Sequence, residues 1–385
     1  MSCLLLVFDS HPVQYKAPVY QQLARLLPGA LTVVYATDCS VRGHRDRDFG
    51  QIVAWDTPLL DGYDHIILNN ERGLPLQGFR SLTGRGIFKL LTKLKPKAVL
   101  ISQFLYEADM VTYLSCLALR VPIWIRHETQ DEAFERSALK RLVRSLAYRI
   151  IYRGVARAFF IGQLNREHLL RHGLTEARLT PARYCVDSIL PAMTADAKAE
   201  RRRVIRQQLG ITDQETLVLF SGKLIPKKDP ALILEAFGLL RPAQRELTKL
   251  VFLGSGTLLE ELKKAAAQFP GRVTFAGFVN QREIPGYYLA ADLLILPSRR
   301  MGETWGLVVN EALHAGCGMI VSDAVGSHRE FGAWERVRVI KERDAQACAR
   351  AIEELARYPR SFDWCARDME PYSVQAAAAA LASQL

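Results

Sequence analysis

Apolar residues in this chain gather into short runs divided by stretches of helical period, and the alternation occurs twice. Over the first half, residues 3–9, 31–36, 65–68, 98–102, 122–126 and 158–161 are apolar runs of strand length, while 17–27, 86–94, 106–119 and 137–153 carry apolar positions at helical spacing. Residues 192–208, rich in Ala, Lys, Glu and Arg, interrupt the pattern as a helical or mobile connection. The alternation then restarts, with strands expected at 216–221, 247–253, 273–276, 293–297, 319–322 and 337–340 and helices at 230–240, 258–269, 281–290 and 305–315. An alanine-rich tail, 372–383, is a strong helix former. Apolar strands alternating with helices predict parallel sheets covered on both faces. The expected fold class is therefore α/β, with two Rossmann-like domains facing one another across a cleft.

Candidate chemistry concentrates after the apolar run 293–297. Glu303 and Glu311 bracket a glycine-bearing helix start, Leu307, Val308 and Leu313 recur at helical spacing, and Gly316 is a natural residue just past a helix end. A helix from Trp305 to Gly316 separates the two carboxylates by roughly 12 Å at helical rise, about the span from a hexose to a ribose across a diphosphate. The peptide N–H groups of Thr304, Trp305, Gly306 and Leu307 then point at phosphates between them. A plainer reading makes Glu303 a helix cap and Glu311 a solvated carboxylate. The strand–loop–helix–strand context favours a ligand, because such units bind at the carboxyl ends of their strands. Lys223 and Lys228 lie between another strand and helix, where both can reach a diphosphate and stabilise its charge. Gly254 and Gly256 occupy a third such turn and let backbone approach a ligand closely. Leu259 stands in place of the last glycine of the dinucleotide fingerprint, which speaks against an oxidoreductase.

In order and spacing, Lys223 and Lys228, the Gly254 and Gly256 turn, the strand 290–298 and the Glu303-x7-Glu311 pair resemble the retaining glycosyltransferases of family four, with the GT-B fold. The match covers roughly residues 217–327. The resemblance implies transfer of a sugar from a nucleotide-diphosphate-sugar donor to an acceptor hydroxyl with the anomeric configuration kept, and without a metal or other cofactor. It implies an acceptor-binding domain over 1–195, a nucleotide-sugar-binding domain over 196–366, and a C-terminal helix, 367–385, packing back on the first domain. By the same likeness Glu311 holds the ribose hydroxyls and Glu303 those of the donor sugar. Lys223 and Lys228 hold the diphosphate, the amides of Thr304 to Leu307 complete the cradle, and Phe278 and Val279 lie near the base. His127 follows the strand 122–126, where the family often places a histidine near the reacting carbon. The catalytic set expected is His127, Glu303 and Lys228, with His11, Arg126 and Glu128 on the acceptor side.

Some features depart from the family pattern. Lys223 stands where Arg is common and cannot make a bidentate phosphate contact. Thr304 stands where Pro is common, residues 298–302 lengthen the approach loop, and the stretch from Ser10 to Tyr15 replaces a glycine-rich loop. His127 and Glu128 also begin like a zinc-protease helix, but Asp131 occupies the place of its second histidine. Asp46 and Asp48 resemble a metal-diphosphate pair with no suitable strand before it, so a solvated loop and no metal site are expected.

With 385 residues, 49% of them hydrophobic and 24% charged, the chain can fill two cores and is not of disordered type. No apolar run nears the ~18 residues that cross a bilayer. Seven scattered cysteines with no Cys-x-x-Cys pair suggest packing roles in a reducing compartment, hence the cytoplasm. The net charge of +11 implies an acidic partner. Residues 136–157 thread arginines through leucine, isoleucine and tyrosine, as a helix on an anionic membrane surface does, or as an ordinary solvated surface helix does. Nucleic acid is not expected, since no recognition motif accompanies the charge. The acceptor expected by resemblance is a glycan or lipid-linked hydroxyl in surface polysaccharide or glycolipid synthesis, handled in the cytoplasm or on the inner membrane face. The rival readings are a sugar-nucleotide epimerase or phosphorylase of the same architecture, and a non-catalytic basic membrane-surface protein.

Overall fold

The computed structural model describes residues 4–41, 44–45, 52–53, 58–72, 76 and 78–385, so Cys3, Asp46 and Asp48 lie outside the described residues. The first half contains β1 (Leu5–Asp9), β2 (Leu31–Tyr35), β3 (His44–Arg45), β4 (Ile52–Val53), β5 (His65–Ile67), β6 (Ala98–Ile101), β7 (Ile123–Ile125), β8 (Val155–Phe160) and β9 (Leu179–Pro181). The second contains β10 (Thr216–Ser221), β11 (Thr248–Leu253), β12 (Val273–Gly277), β13 (Leu293–Leu296), β14 (Gly318–Ser322) and β15 (Val337–Ile340). β3 and β4 form an antiparallel pair. The others form two sheets, in the orders β5-β2-β1-β6-β7-β8-β9 and β12-β11-β10-β13-β14-β15, and every pairing within them is parallel.

In both sheets the strand order runs outward one way from the first strand and then resumes on its other side. That reversal opens a crevice beyond the carboxyl ends of β1 and β6 in one sheet, and of β10 and β13 in the other. β1, β6 and β13 are buried along their whole lengths, as strands in the middle of a covered parallel sheet must be. β9, which its short and mixed sequence conceals, sits at an edge where the missing N–H of Pro181 costs no ladder bond.

Several helical segments differ from expectation or sharpen it, and Ala345–Leu355 has no counterpart among the expected helices. Gln163–Arg171 carries three apolar residues in nine, too few to show a stripe. The connection after residue 192 is an ordered helix, Ala195–Gln208, capped by Thr194. Arg202 and Arg206 bind the Asp292 carboxylate at 2.6 and 3.2 Å, which fastens this helix to the second domain. The helix expected over 305–315 runs instead from Val308 to His314. Gly306 has φ of +88°, which no α-helix contains, so the chain turns there and becomes helical after Leu307.

The C-terminal helix, Val374–Ala382, begins where Ser373 Oγ accepts from the Ala376 amide at 3.1 Å. It buries Val374, Ala377, Ala378 and Leu381 against Leu5, Val19, Leu23 and Val33, so the end of the chain completes the core of the first domain. Leu381→Ala is expected to cost about 2–5 kcal/mol in urea unfolding. A loss below about 1 kcal/mol would show that this helix does not share the core.

Candidate active site

At the carboxyl ends of strands from both sheets lies a cavity of about 450 Å³. The first domain contributes Gln14, Tyr15, Glu128 and Tyr184 to its wall. The second contributes Lys223, Lys227 and Lys228 after β10, Gly254 after β11, Phe278 and Val279 after β12, and Glu303, Thr304, Trp305, Gly306, Leu307 and Glu311 after β13. The donor-side residues expected from the sequence thus come together, with Gly256 set apart. A Cβ on Gly254 would lie 2.0 Å from Gly222 O, and one on Gly256 would lie 2.3 Å from Leu224 O. These glycines let the β10 loop pack against the β11 loop, a contact sealed by Leu224 N to Ser255 O at 2.9 Å. Gly256 therefore shapes the lysine loop and does not itself face the cavity.

The two carboxylates have opposite environments. Glu303 is buried, ion-paired with Lys228 and bonded by Ser298 Oγ at 3.2 Å. Burial opposes its charge, but Lys228 and Lys227 outweigh it and hold the carboxyl below its ordinary range. Burial lowers the Lys227 ammonium, whose Nζ donates to Gly302 O at 2.8 Å. Glu311 accepts from Tyr288 Oη at 2.6 Å and from Tyr15 Oη at 3.4 Å. Burial pushes its carboxyl above the ordinary range, against those hydroxyls. Among the described residues, the amides of Thr304, Trp305, Gly306 and Leu307 donate to no protein acceptor. They are open to a ligand although they precede the helix instead of forming its first turn.

Several other expected site residues are set differently from expectation. His127 turns into the first domain, where Nε2 meets Tyr152 Oη at 3.1 Å and the ring packs on Phe104, so it does not reach the cavity as a catalytic group. Arg126 donates to Ala182 O at 3.1 Å and Arg183 O at 2.9 Å, bracing the chain after β9, and is not part of the cavity wall. His11 bonds with Ser10 Oγ at 2.9 Å and is not part of the cavity wall, where Gln14 and Tyr15 of the same loop stand. The Trp305 indole is buried against Tyr184 and Phe331, and its Nε1 donates to Asn310 Oδ1 at 2.8 Å. Glu128 does face the cavity, bonded by Tyr184 Oη and, across the cleft, by Thr304 Oγ1 at 3.1 Å. The tyrosines on these carboxylates, with Lys227 and Ser298, carry no sequence signal that singles them out.

The lengthened loop 298–302 clasps the first domain. Gly302 N donates to Ala133 O at 2.7 Å, and Arg300 Nη1 to Glu132 O at 2.9 Å. Gly302 has φ of +96°, a left-handed conformation that favours glycine, and a Cβ there would also meet the Phe134 ring at 2.4 Å. Away from the cleft, Asp131, His168 and His172 bring ligand atoms within 4.8 Å of one another. Arg144 and Arg171 already hold the Asp131 carboxylate, so this cluster is an ion-pair network.

Burial and the neighbouring His168 lower His127 to about 3, and burial lowers His168 to about 4 in spite of Asp131. A histidine with a depressed folded pKa supports the fold above its unfolded value near 6.5 and loses that support as pH falls, because the unfolded chain takes the proton first. The melting temperature is expected to fall from pH 6.5 towards pH 4, and less steeply in His127→Asn. Equal slopes for the two proteins would show that this imidazole is not held neutral.

Residues 201–363 match the family model of glycosyl transferases group 1. An uncharacterised glycosyltransferase of Methanocaldococcus jannaschii is 32% identical over 142 residues, 35% of each chain. The D-inositol 3-phosphate glycosyltransferase of Streptomyces coelicolor is 29% identical over 195 residues, 47% of this chain and 42% of that one. The matched segment spans under half the length of either relative. Among solved structures, Anabaena HepE in complex with UDP has a TM-score of 0.66 at 16% identity, covering 100% of this chain and 95% of that one. A glycosyltransferase from Rickettsia africae has a TM-score of 0.68 at 13% identity, covering 98% and 96%. The chain has the GT-B fold, and residues 201–363 of its second domain match the glycosyl transferases group 1 model.

Proposed function

We propose that this protein is a retaining glycosyltransferase of family four, moving a sugar from a nucleotide-diphosphate-sugar donor to an acceptor hydroxyl without a metal. The observation that carries this reading is an interdomain cavity lined by two differently tuned carboxylates, three lysines and a run of open amides. The complexes of Anabaena HepE with UDP and with UDP-glucose are in keeping with that donor class. Glu303, kept ionised, accepts from hydroxyls of the donor sugar, and Glu311 accepts from those of the ribose. Lys223 and Lys228 hold the diphosphate, with Lys227 and the amides of Thr304 to Leu307 around it.

As the anomeric bond breaks, negative charge grows on the departing diphosphate and positive charge on an oxocarbenium-like sugar. Cations fixed in a water-poor cleft favour that charge separation, and here lysines supply them. The acceptor hydroxyl attacks from the face that the diphosphate leaves, and its proton passes to a phosphate oxygen. Glu303 and Glu311 are holding groups in this scheme, and neither is acid or base. A glycan or lipid-linked acceptor, as in surface polysaccharide or glycolipid synthesis at the inner membrane face, enters on the side of Gln14 and Glu128. Gln14 Oε1 has no hydrogen-bond partner among the described residues and suits an acceptor hydroxyl.

Glu311→Ala and Lys228→Ala are each expected to lower kcat/KM for sugar transfer by roughly 10²-fold. Unchanged rates in both would overturn the site assignment. Epimerised sugar formed from labelled donor alone would assign the cleft to the epimerase rival. Excess chelator is expected to leave the rate unchanged, whereas a loss that added metal restores would contradict the metal-free scheme.

A further inference from the structure

We infer that the helix Ala138–Arg153, with the arginine-lined cavity at its base, is a docking site for a bilayer bearing anionic phospholipid. The helix carries five basic residues and no acidic one. Leu139, Leu142, Val143, Leu146 and Ile150 are 70, 58, 59, 53 and 65% exposed. Their spacing places them on one stripe of the helix. That stripe faces away from the protein, because the same helix buries Tyr152 on its other side. An outward apolar stripe of this length is unfavourable in water and marks an interaction surface.

The stripe continues onto a neighbouring helix, Glu107–Leu119, where Leu114 and Leu117 are also exposed. A Cβ on Gly154 would lie 3.0 Å from Leu117 Cδ2, so the two apolar surfaces meet at the end of the basic helix. Lys140, Arg141, Arg149 and Arg153 are exposed beside the stripe. Their long stems can lie along hydrocarbon while the charged heads stay at headgroup level.

A cavity of about 320 Å³ lies at the start of the helix and sets Arg136, Arg141, Arg144 and Arg171 around the single carboxylate of Asp131. Arg144 and Arg171 are committed to that carboxylate, and Arg136 to the carbonyls of Asp131 and Phe134. Arg141 pairs with no carboxylate among the described residues. The excess positive charge suits a phosphodiester headgroup, which presents anionic oxygens to guanidinium groups. Charge and apolar stripe together commit the surface to a lipid bilayer. Asp131 also lies three residues after Glu128, so one segment links the docking face to the cleft. The inference stands whether or not the cleft transfers sugar, since its test reads binding alone.

The test is sedimentation of the full chain with vesicles of phosphatidylcholine alone or mixed with phosphatidylglycerol. The protein should pellet with the mixed vesicles and not with the neutral ones, and salt should weaken the binding. Arg141→Glu with Arg149→Glu should weaken it roughly thirtyfold or more, at about 1 kcal/mol for each basic residue removed. Leu142→Ser with Ile150→Ser, at exposed positions, should weaken it while leaving the melting temperature unchanged. Equal binding to both vesicle types, or none to either by the folded parent, would overturn the inference. So would a dimer in light scattering that Leu142→Ser abolishes without vesicle binding, which assigns the stripe to a second copy. Inorganic phosphate that stabilises the parent but not Arg141→Glu, again without vesicle binding, would assign the cavity to a soluble anion.

Discussion

A buried negative charge at Glu303 sets the terms for the cleft. An ionised carboxylate taken from water costs several kcal/mol unless cations and hydrogen bonds replace its hydration. Lys228 and Ser298 do so directly, and Lys227, tied to Gly302 O at 2.8 Å, adds its field. Lys228 and Glu303 are 75 residues apart in sequence. They meet because the strand order reverses between β10 and β13, making two distant loops neighbours. The ion pair is thus a product of topology, and the same reversal opens the crevice into which both residues project.

The second domain alone leaves that crevice open on one side. Closure comes from the first domain through Glu128 on Thr304, the Ala133 carbonyl on Gly302 and the Tyr184 carbonyl on Asn310. A further tie joins Arg183 to Glu330 at 2.6 Å, and Tyr372 Oη also bonds Glu330, at 2.7 Å. Tyr372 lies just before the C-terminal helix that completes the core of the first domain. The chain therefore crosses between domains twice. These polar ties are individually modest and stand beside apolar packing of Ile161 and Tyr184 on the second domain, where Tyr184 meets the Trp305 ring.

The sheet strands were largely legible because parallel strands buried on both faces are mostly apolar, as Leu293–Leu296 shows throughout and Leu5–Asp9 shows up to its final aspartate. The loops that line the cavity were legible as a group because lysines, glycines and glutamates at strand ends are unusual enough in combination to stand out. What escaped depended on tertiary geometry. Helix length after Glu303 was decided by the φ of Gly306, which the apolar spacing of Leu307, Val308 and Leu313 does not encode. The direction of His127 was decided by Tyr152 and His168, contributed by helices further along the chain. Both His127 and Glu128 stand in the irregular segment beyond β7, where no strand period fixes direction, and only Glu128 lines the cavity. The 298–302 insertion read as a departure because its partner, residues 132–134, has no sequence feature that announces it.

Glu311 shows how one carboxylate can be both held and available. Tyr288, from its own domain, bonds it at 2.6 Å, a strong contact that orients the group whatever the cleft contains. Tyr15, from the facing domain, bonds the other oxygen at 3.4 Å, close to the limit of a useful hydrogen bond. A ligand hydroxyl at ordinary distance replaces the weak partner with little loss and leaves the strong one in place. Burial meanwhile disfavours the bare charge, so each good donor brought to Glu311 stabilises the carboxylate more than it would in water. The exchange of a distant tyrosine for a near hydroxyl then favours binding, and it occurs where the two domains meet. In the proposed reaction, ribose recognition and the contact between domains are therefore coupled at a single side chain.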